Sequence, residues 1–206
     1  IKNFYEVGIR PIVLTNNEKN DFSGGCLTPS IGLSSEGKKL IELLNDIPIA
    51  IDLSHISEKA FTDTFAITDK TLIVSHANVR AISNHSRNLT DKQIELIQNR
   101  KGVIGLSLIS LFIDKNEEKQ TSINKFLEHV EYIINLAGIE AVGIGADFID
   151  YIVDTTIPFF VKNGYPKSIA TYPKGISSIS DVNVILKQMI ERGFITNEIH
   201  KFASSN

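Results

Sequence analysis

The chain has 206 residues, 42% of them apolar, enough to bury one sizeable core, and this length suits a single domain over 1–206. Its 21 basic and 24 acidic residues give a formal charge of −3, so no global basic footprint points to nucleic acid. No apolar run reaches the roughly 18 residues needed to cross a bilayer. The lone Cys26 excludes an internal disulfide framework and suits a reducing, cytoplasmic setting. No secretory signal is present, and because the first residue is Ile1 rather than Met, a further segment upstream is expected.

In chain order, short β-rich runs at Ile9–Leu14, Pro48–Leu53, Leu72–Ser75, Val103–Leu108 and Val142–Ala146 alternate with stretches of helical spacing. Ser35–Leu44 predicts a helix with Leu40, Leu43 and Leu44 on one face. Thr90–Asn99 opens on a threonine cap with Asp91 behind it and turns Ile94 and Ile97 inward. Ser122–Leu136 sets Ile123, Phe126, Leu127, Val130, Ile133 and Ile134 on one face and stops before Gly138, a natural C′ residue. Two shorter helices are expected at Val182–Glu191 and Thr196–Phe202. The segment Asp154–Ile179 is interrupted by proline and glycine and has no period, so it reads as a long functional loop. The run at Asp114–Lys119 reads as a solvated loop. Strands this apolar, separated by helices, predict a parallel sheet covered by helices.

The informative residues stand where apolar runs end. "PIAIDLSH" ends at His55, "TLIVSH" at His76 and "AVGIGAD" at Asp147. In parallel α/β folds the C-terminal strand ends converge on the active site. Imidazoles bind zinc through a neutral nitrogen, and a carboxylate beside them binds metal or takes a proton from activated water. Plainer roles stay open: either histidine could be an ordinary loop residue, and Asp147 could cap the element that follows. Asp52 precedes its strand end and reads as structural or supporting. His85, His129 and His200 read as surface or packing residues. Arg87, in "SHANVRAISNHSRNLTD", is suited to holding a substrate carboxylate through two parallel hydrogen bonds, or else pairs with a surface acid.

These segments, in this order, resemble the renal or membrane dipeptidase family of zinc peptidases. The likeness rests on "DLSHISEKAF", "VSHANVRAI", "SRNLTDKQIELI", "KGVIGLSL" and "GIEAVGIGADF". The upstream "VGIRPIVLTNNEKNDFSGG" and the closing "ISDVNVILKQMIERGFITNEIHKFASSN" extend it over nearly the whole chain. The resemblance implies a (β/α)₈ barrel with two zinc ions, acting on dipeptides, some with a D-residue at the C-terminal position. It implies His55 and His76 as ligands of one zinc, Arg87 as the carboxylate-binding residue, and Asp147 as the group that handles the proton of water or leaving amine. Asn16 stands where animal members have a substrate-contacting histidine.

The family's His-x-Asp strand and bridging glutamate have no counterpart here. About five of eight strands are expected, a partial TIM barrel forming the C-terminal part of a metallo-dependent hydrolase, with at most one partial zinc site. After Asp147 the chain reads Phe148-Ile149-Asp150 where many members have Phe-Asp-Gly. The open edges and inner face of such a slice call for a second copy of the chain or the missing N-terminal segment as partner. Two other functions stay open: a non-catalytic binding subunit that retains the fold, and a barrel amidohydrolase acting on another substrate.

Overall fold

The computed structural model describes residues 1–114, 120–149, 158, 161, 162, 164, 169 and 171–206. Residues 115–119 of the run expected to be a solvated loop, Asp150 and most of the expected long loop at 154–179 fall outside the described residues. The chain divides into two compact units, Ile1–Ser75 with Glu95–Val103, and His76–Ile94 with Ile104–Asn206.

The first unit holds a parallel sheet of β1 (Pro11–Val13), β2 (Ala50–Asp52) and β3 (Leu72–Ile73), in that order. Ile51 sits in register with Ile12 on one side and Leu72 on the other, and both Ile51 and Leu72 are fully buried. The strands are shorter than the apolar runs that announce them. At β3 the reason is local: the Ser75 N–H donates to the Asp52 side chain at 2.9 Å, so the run leaves the ladder before it ends. Helix α1 (Lys2–Glu6) precedes β1, and α2 (Ser35–Asn45) follows it, capped by Ser34, whose hydroxyl accepts the Gly37 N–H at 3.0 Å. The buried face of α2 is Gly37, Ile41 and Leu44, spaced one helical turn apart. Leu43, expected inside, is 59% exposed, because the inward stripe runs through Ile41 instead.

A helix not foreseen from the sequence, α3 (Glu58–Ile67), starts at the Ser57 cap and buries Ala60, Phe61 and Thr64. Its threonines lower intrinsic helix propensity and blur the apolar period. Tertiary packing overrides that preference. Phe61 is 1% exposed and stacks on Phe65 with ring centroids 5.2 Å apart, and burying one such ring contributes about 1.5–3 kcal/mol.

The second unit pairs β4 (Ile104–Leu106) with β5 (Val142–Ile144) in parallel, Gly105 opposite Gly143. The helix α4 (Asp91–Asn99) starts in this unit and ends in the first; Thr90 and Gln93 cap its start reciprocally, and Ile94 and Ile97 are fully buried as predicted. A single turn, α5 (Ser110–Ile113), follows β4. Helix α6 (Ile123–Ala137) is capped by Ser122 and buries the predicted face except Ile134, which is half-buried, with His129 added to it. It stops at Gly138, whose φ of +87° suits a residue without Cβ. Helices α7 (Val182–Glu191) and α8 (Thr196–His200) close the unit, and α8 runs on into a π turn through Ser205.

Buried polar groups fix the segment that follows β3. The Asn78 Oδ1 accepts the Ser107 N–H at 2.8 Å while its amide donates to the Ser107 carbonyl. Asn88 donates to the carbonyls of Ser83 and Phe112, both at 2.8 Å. His129 accepts the Val79 N–H on Nδ1 (3.0 Å) and donates from Nε2 to the Ile113 carbonyl (2.9 Å). The architecture is thus α/β, with parallel strands and helices. Among the described residues no helix is long and apolar enough to cross a membrane.

Candidate active site

His55, His76 and Asp147 each stand three residues beyond the last residue of a strand: Asp52 of β2, Ile73 of β3 and Ile144 of β5. Two of them occupy the left-handed region, His55 at φ +66° and Asp147 at φ +57°. Such conformations cost non-glycine residues about 1–3 kcal/mol and persist where the surroundings impose them. All three side chains are half-buried.

In the first unit the chain is held tightly on both sides of Leu53. Asp52, 3% exposed, accepts the Ser54 N–H (3.0 Å), the Ser54 hydroxyl (2.8 Å) and the Ser75 N–H (2.9 Å) on one oxygen. This is the supporting role its place before the strand end suggested. His55 follows. Its Nδ1 lies 2.8 Å from the Asn17 Oδ1, and its carbonyl accepts the Cys26 N–H at 2.7 Å. Asn16 is exposed, and its side-chain oxygen accepts the Asn17 N–H at 2.7 Å. The asparagine that meets His55 is Asn17, the residue after Asn16. Nothing in the sequence links positions so far apart.

The second unit brings His76, Arg87 and Asp147 together. The Arg87 guanidinium donates to the His76 carbonyl at 3.1 Å and is 5% exposed. Its carbon lies 5.5 Å from the centre of the Phe112 ring, a cation–π geometry. His85 packs on Phe112 too, at 4.9 Å, and its Nδ1 accepts the Arg87 N–H at 3.1 Å. Burial first, then the charges of Arg87 and Arg80, lower the His85 pKa to about 4, so this ring is a neutral support at ordinary pH. Burial raises the Asp147 pKa above the usual carboxylate value, and the charges of His76 and Arg87 pull it back. The two influences act on the carboxylate in opposite directions, and burial is the larger.

The loop after Asp147 is tied down by Tyr172, a buried residue within the segment expected to be a structureless loop. Its hydroxyl accepts the Ile149 N–H at 2.7 Å, and its ring meets Phe148 edge-on at 5.0 Å. Neither Tyr172 nor the Phe112 platform under Arg87 stood out in the sequence, because single aromatics in irregular segments have no periodicity.

Imidazole and carboxylate donors suit zinc, and His55 and His76 both start loops beyond strand ends. Among the described residues no group of three or more His, Cys, Asp or Glu side chains gathers to hold a metal.

A family profile for membrane dipeptidases, peptidase family M19, matches residues 1–206. An uncharacterized dipeptidase of Schizosaccharomyces pombe is 30% identical over 203 residues, 96% of this chain and 44% of that protein. The dipeptidase tcpJ of Claviceps purpurea is 26% identical over 206 residues, 98% of this chain and 44% of that protein. The chain thus spans about half the length of these curated relatives. A metallo peptidase from Rhodobacter sphaeroides, solved with a phosphinate mimic of the dipeptide L-Ala-D-Ala, superposes with a TM-score of 0.82 at 25% identity, covering 98% of this chain and 54% of that one. The M19 metallo peptidase dipeptidase AC gives a TM-score of 0.83 at 26% identity, covering 98% and 56%. On the strand-end residues and this match along its full length, the chain belongs to the membrane dipeptidase family, peptidase family M19.

Proposed function

We propose that this chain supplies the C-terminal half of the active site of a zinc-dependent dipeptidase, on about five strands of a (β/α)₈ barrel. The single observation that supports it most is the cluster of His76, Arg87 and Asp147, a buried cation beside a histidine and a carboxylate raised by burial. Parallel strands with covering helices, and likeness to M19 peptidases over nearly the whole chain, support the barrel.

In this reading His55 and His76 contribute imidazole ligands. Zinc, when bound, polarises the scissile carbonyl and acidifies water. Arg87, its guanidinium carbon 5.5 Å from the centre of the Phe112 ring, grips the carboxylate of the dipeptide's C-terminal residue and fixes where the peptide bond falls. A free carboxylate on the substrate is what makes a buried guanidinium worthwhile. Asp147 accepts the proton of the attacking water and delivers it to the leaving amine. Asn16, exposed beside this machinery's first-unit loop, is available to contact substrate.

Hydrolysis of a dipeptide panel that includes L-Ala-D-Ala, the dipeptide mimicked in the Rhodobacter structure, tests the proposal. Asp147→Asn should lower kcat by about 10²–10⁴-fold with little change in KM, the usual worth of a general acid–base group. His76→Ala should abolish turnover. No hydrolysis of any member once the other half of the site is present, or a His76→Ala variant with undiminished turnover, would defeat the reading.

A further inference from the structure

We infer that Asn17 is the positioning residue of His55: its side-chain oxygen fixes the hydrogen on Nδ1 of the ring and so places the lone pair on Nε2, the nitrogen offered to metal. The inference rests on reading His55 as a zinc ligand.

Three observations carry it. First, the Asn17 Oδ1 receives two contacts, His55 Nδ1 at 2.8 Å and Cys26 Sγ at 3.3 Å. The oxygen of the amide, not its NH₂, is the end that faces both groups. An oxygen facing Nδ1 requires a hydrogen there. A neutral imidazole with hydrogen on Nδ1 carries its lone pair on Nε2.

Second, Asn17 is itself immobilised. Its N–H donates to the Asn16 side chain at 2.7 Å and its carbonyl accepts the Leu27 N–H at 2.9 Å. The Gly25 backbone passes so close that a Cβ there would lie 2.3 Å from the Asn17 carbonyl oxygen. Third, the same 16–27 loop clasps the His55 backbone, through the Cys26 N–H on the His55 carbonyl at 2.7 Å. Ring and backbone are therefore set by one loop, at a residue whose left-handed φ already needs support. Neutral imidazole in water prefers hydrogen on Nε2, the wrong arrangement for an Nε2 ligand. A protein that uses Nε2 must hold Nδ1–H with an acceptor, and losing such an acceptor costs about 10–100-fold in metal affinity.

The test combines ring ¹⁵N chemical shifts of the metal-free protein, which report the tautomer, with zinc affinity measured by chelator competition. Wild type, Asn17→Leu, Asn17→Asp and His55→Ala are compared. Wild type and Asn17→Asp, which keeps an acceptor, should show Nδ1–H and bind zinc alike. Asn17→Leu should move the ring to Nε2–H and weaken zinc by about 10–100-fold. If leucine disturbs the fold, Asn17→Ser, too short to reach the ring, replaces it. An Asn17→Leu ring that keeps Nδ1–H, or zinc affinity equal to wild type, overturns the inference. Zinc affinity untouched by His55→Ala instead overturns the ligand reading, and the tautomer shifts then still decide whether Asn17 governs the ring.

Discussion

The Asp52 carboxylate accepts the backbone N–H of Ser75 at 2.9 Å, so a side chain from the end of β2 fastens the end of β3. The same oxygen takes two hydrogen bonds from Ser54, and the residues that follow these two serines in sequence are His55 and His76. Asp52→Ala removes the acceptor of the backbone donors of Ser54, buried, and Ser75, half-buried, and hydrogen bonds to charged groups are worth about 1.5–3 kcal/mol each before partial compensation. A loss of about 2–4 kcal/mol in urea unfolding is expected. Asp52→Asn retains an oxygen acceptor and should lose less than half as much. Equal losses would show that packing, not the acceptor, is what Asp52 provides.

Arg87 should reveal itself in substrate choice. If its guanidinium grips the terminal carboxylate, Arg87→Lys loses the flat two-point grip while keeping charge. KM for a dipeptide should then rise by roughly 10-fold or more, the cost of about 1.4 kcal/mol of binding. The corresponding dipeptide amide, which has no carboxylate, should be hydrolysed poorly by wild type and no worse by the variant. Parallel losses on both substrates would assign Arg87 to scaffolding instead.

His129 makes stability depend on pH. It is fully buried between the Val79 N–H and the Ile113 carbonyl, and burial lowers its pKa to about 4 from an ordinary 6.5. The folded state refuses the proton that the unfolded chain takes up. The contribution is therefore complete above pH 6.5, declines as pH falls toward 4, and changes no further below that. This residue alone should make the protein about 2 kcal/mol less stable at pH 5 than at pH 7. His85, lowered in the same direction, adds to the trend. His129→Gln, with an acceptor and a donor but no titration, should flatten the slope of urea midpoint against pH. An unchanged slope would remove His129 as its source.

Part of this architecture is legible in the sequence. Ser122, the apolar face from Ile123 to Ile133 and Gly138 together mark a helix with both ends specified, and α6 follows that outline. Likewise His76 and Asp147 stand where apolar runs end and Arg87 shortly before a helix, and within the second unit these three lie near one another. The hidden parts depend on tertiary context. The threonines of α3 disguise its period, and the buried stripe of α2 runs through Gly37, Ile41 and Leu44, leaving the expected Leu43 outside. The meeting of Asn17 with His55 leaves no trace in a sequence where 38 positions separate them. Tyr172 is buried in a stretch whose prolines and glycine suggest only loop.

Dependence on zinc is the claim on which the rest turns, and its most direct measure is L-Ala-D-Ala hydrolysis by protein stripped with a chelator and then titrated with zinc. Wild type should fall silent on stripping and regain turnover as zinc returns, whereas His76→Ala should stay silent over the same titration. Turnover that survives stripping with zinc content near zero would contradict a metallopeptidase, and with it the roles given to His55 and His76.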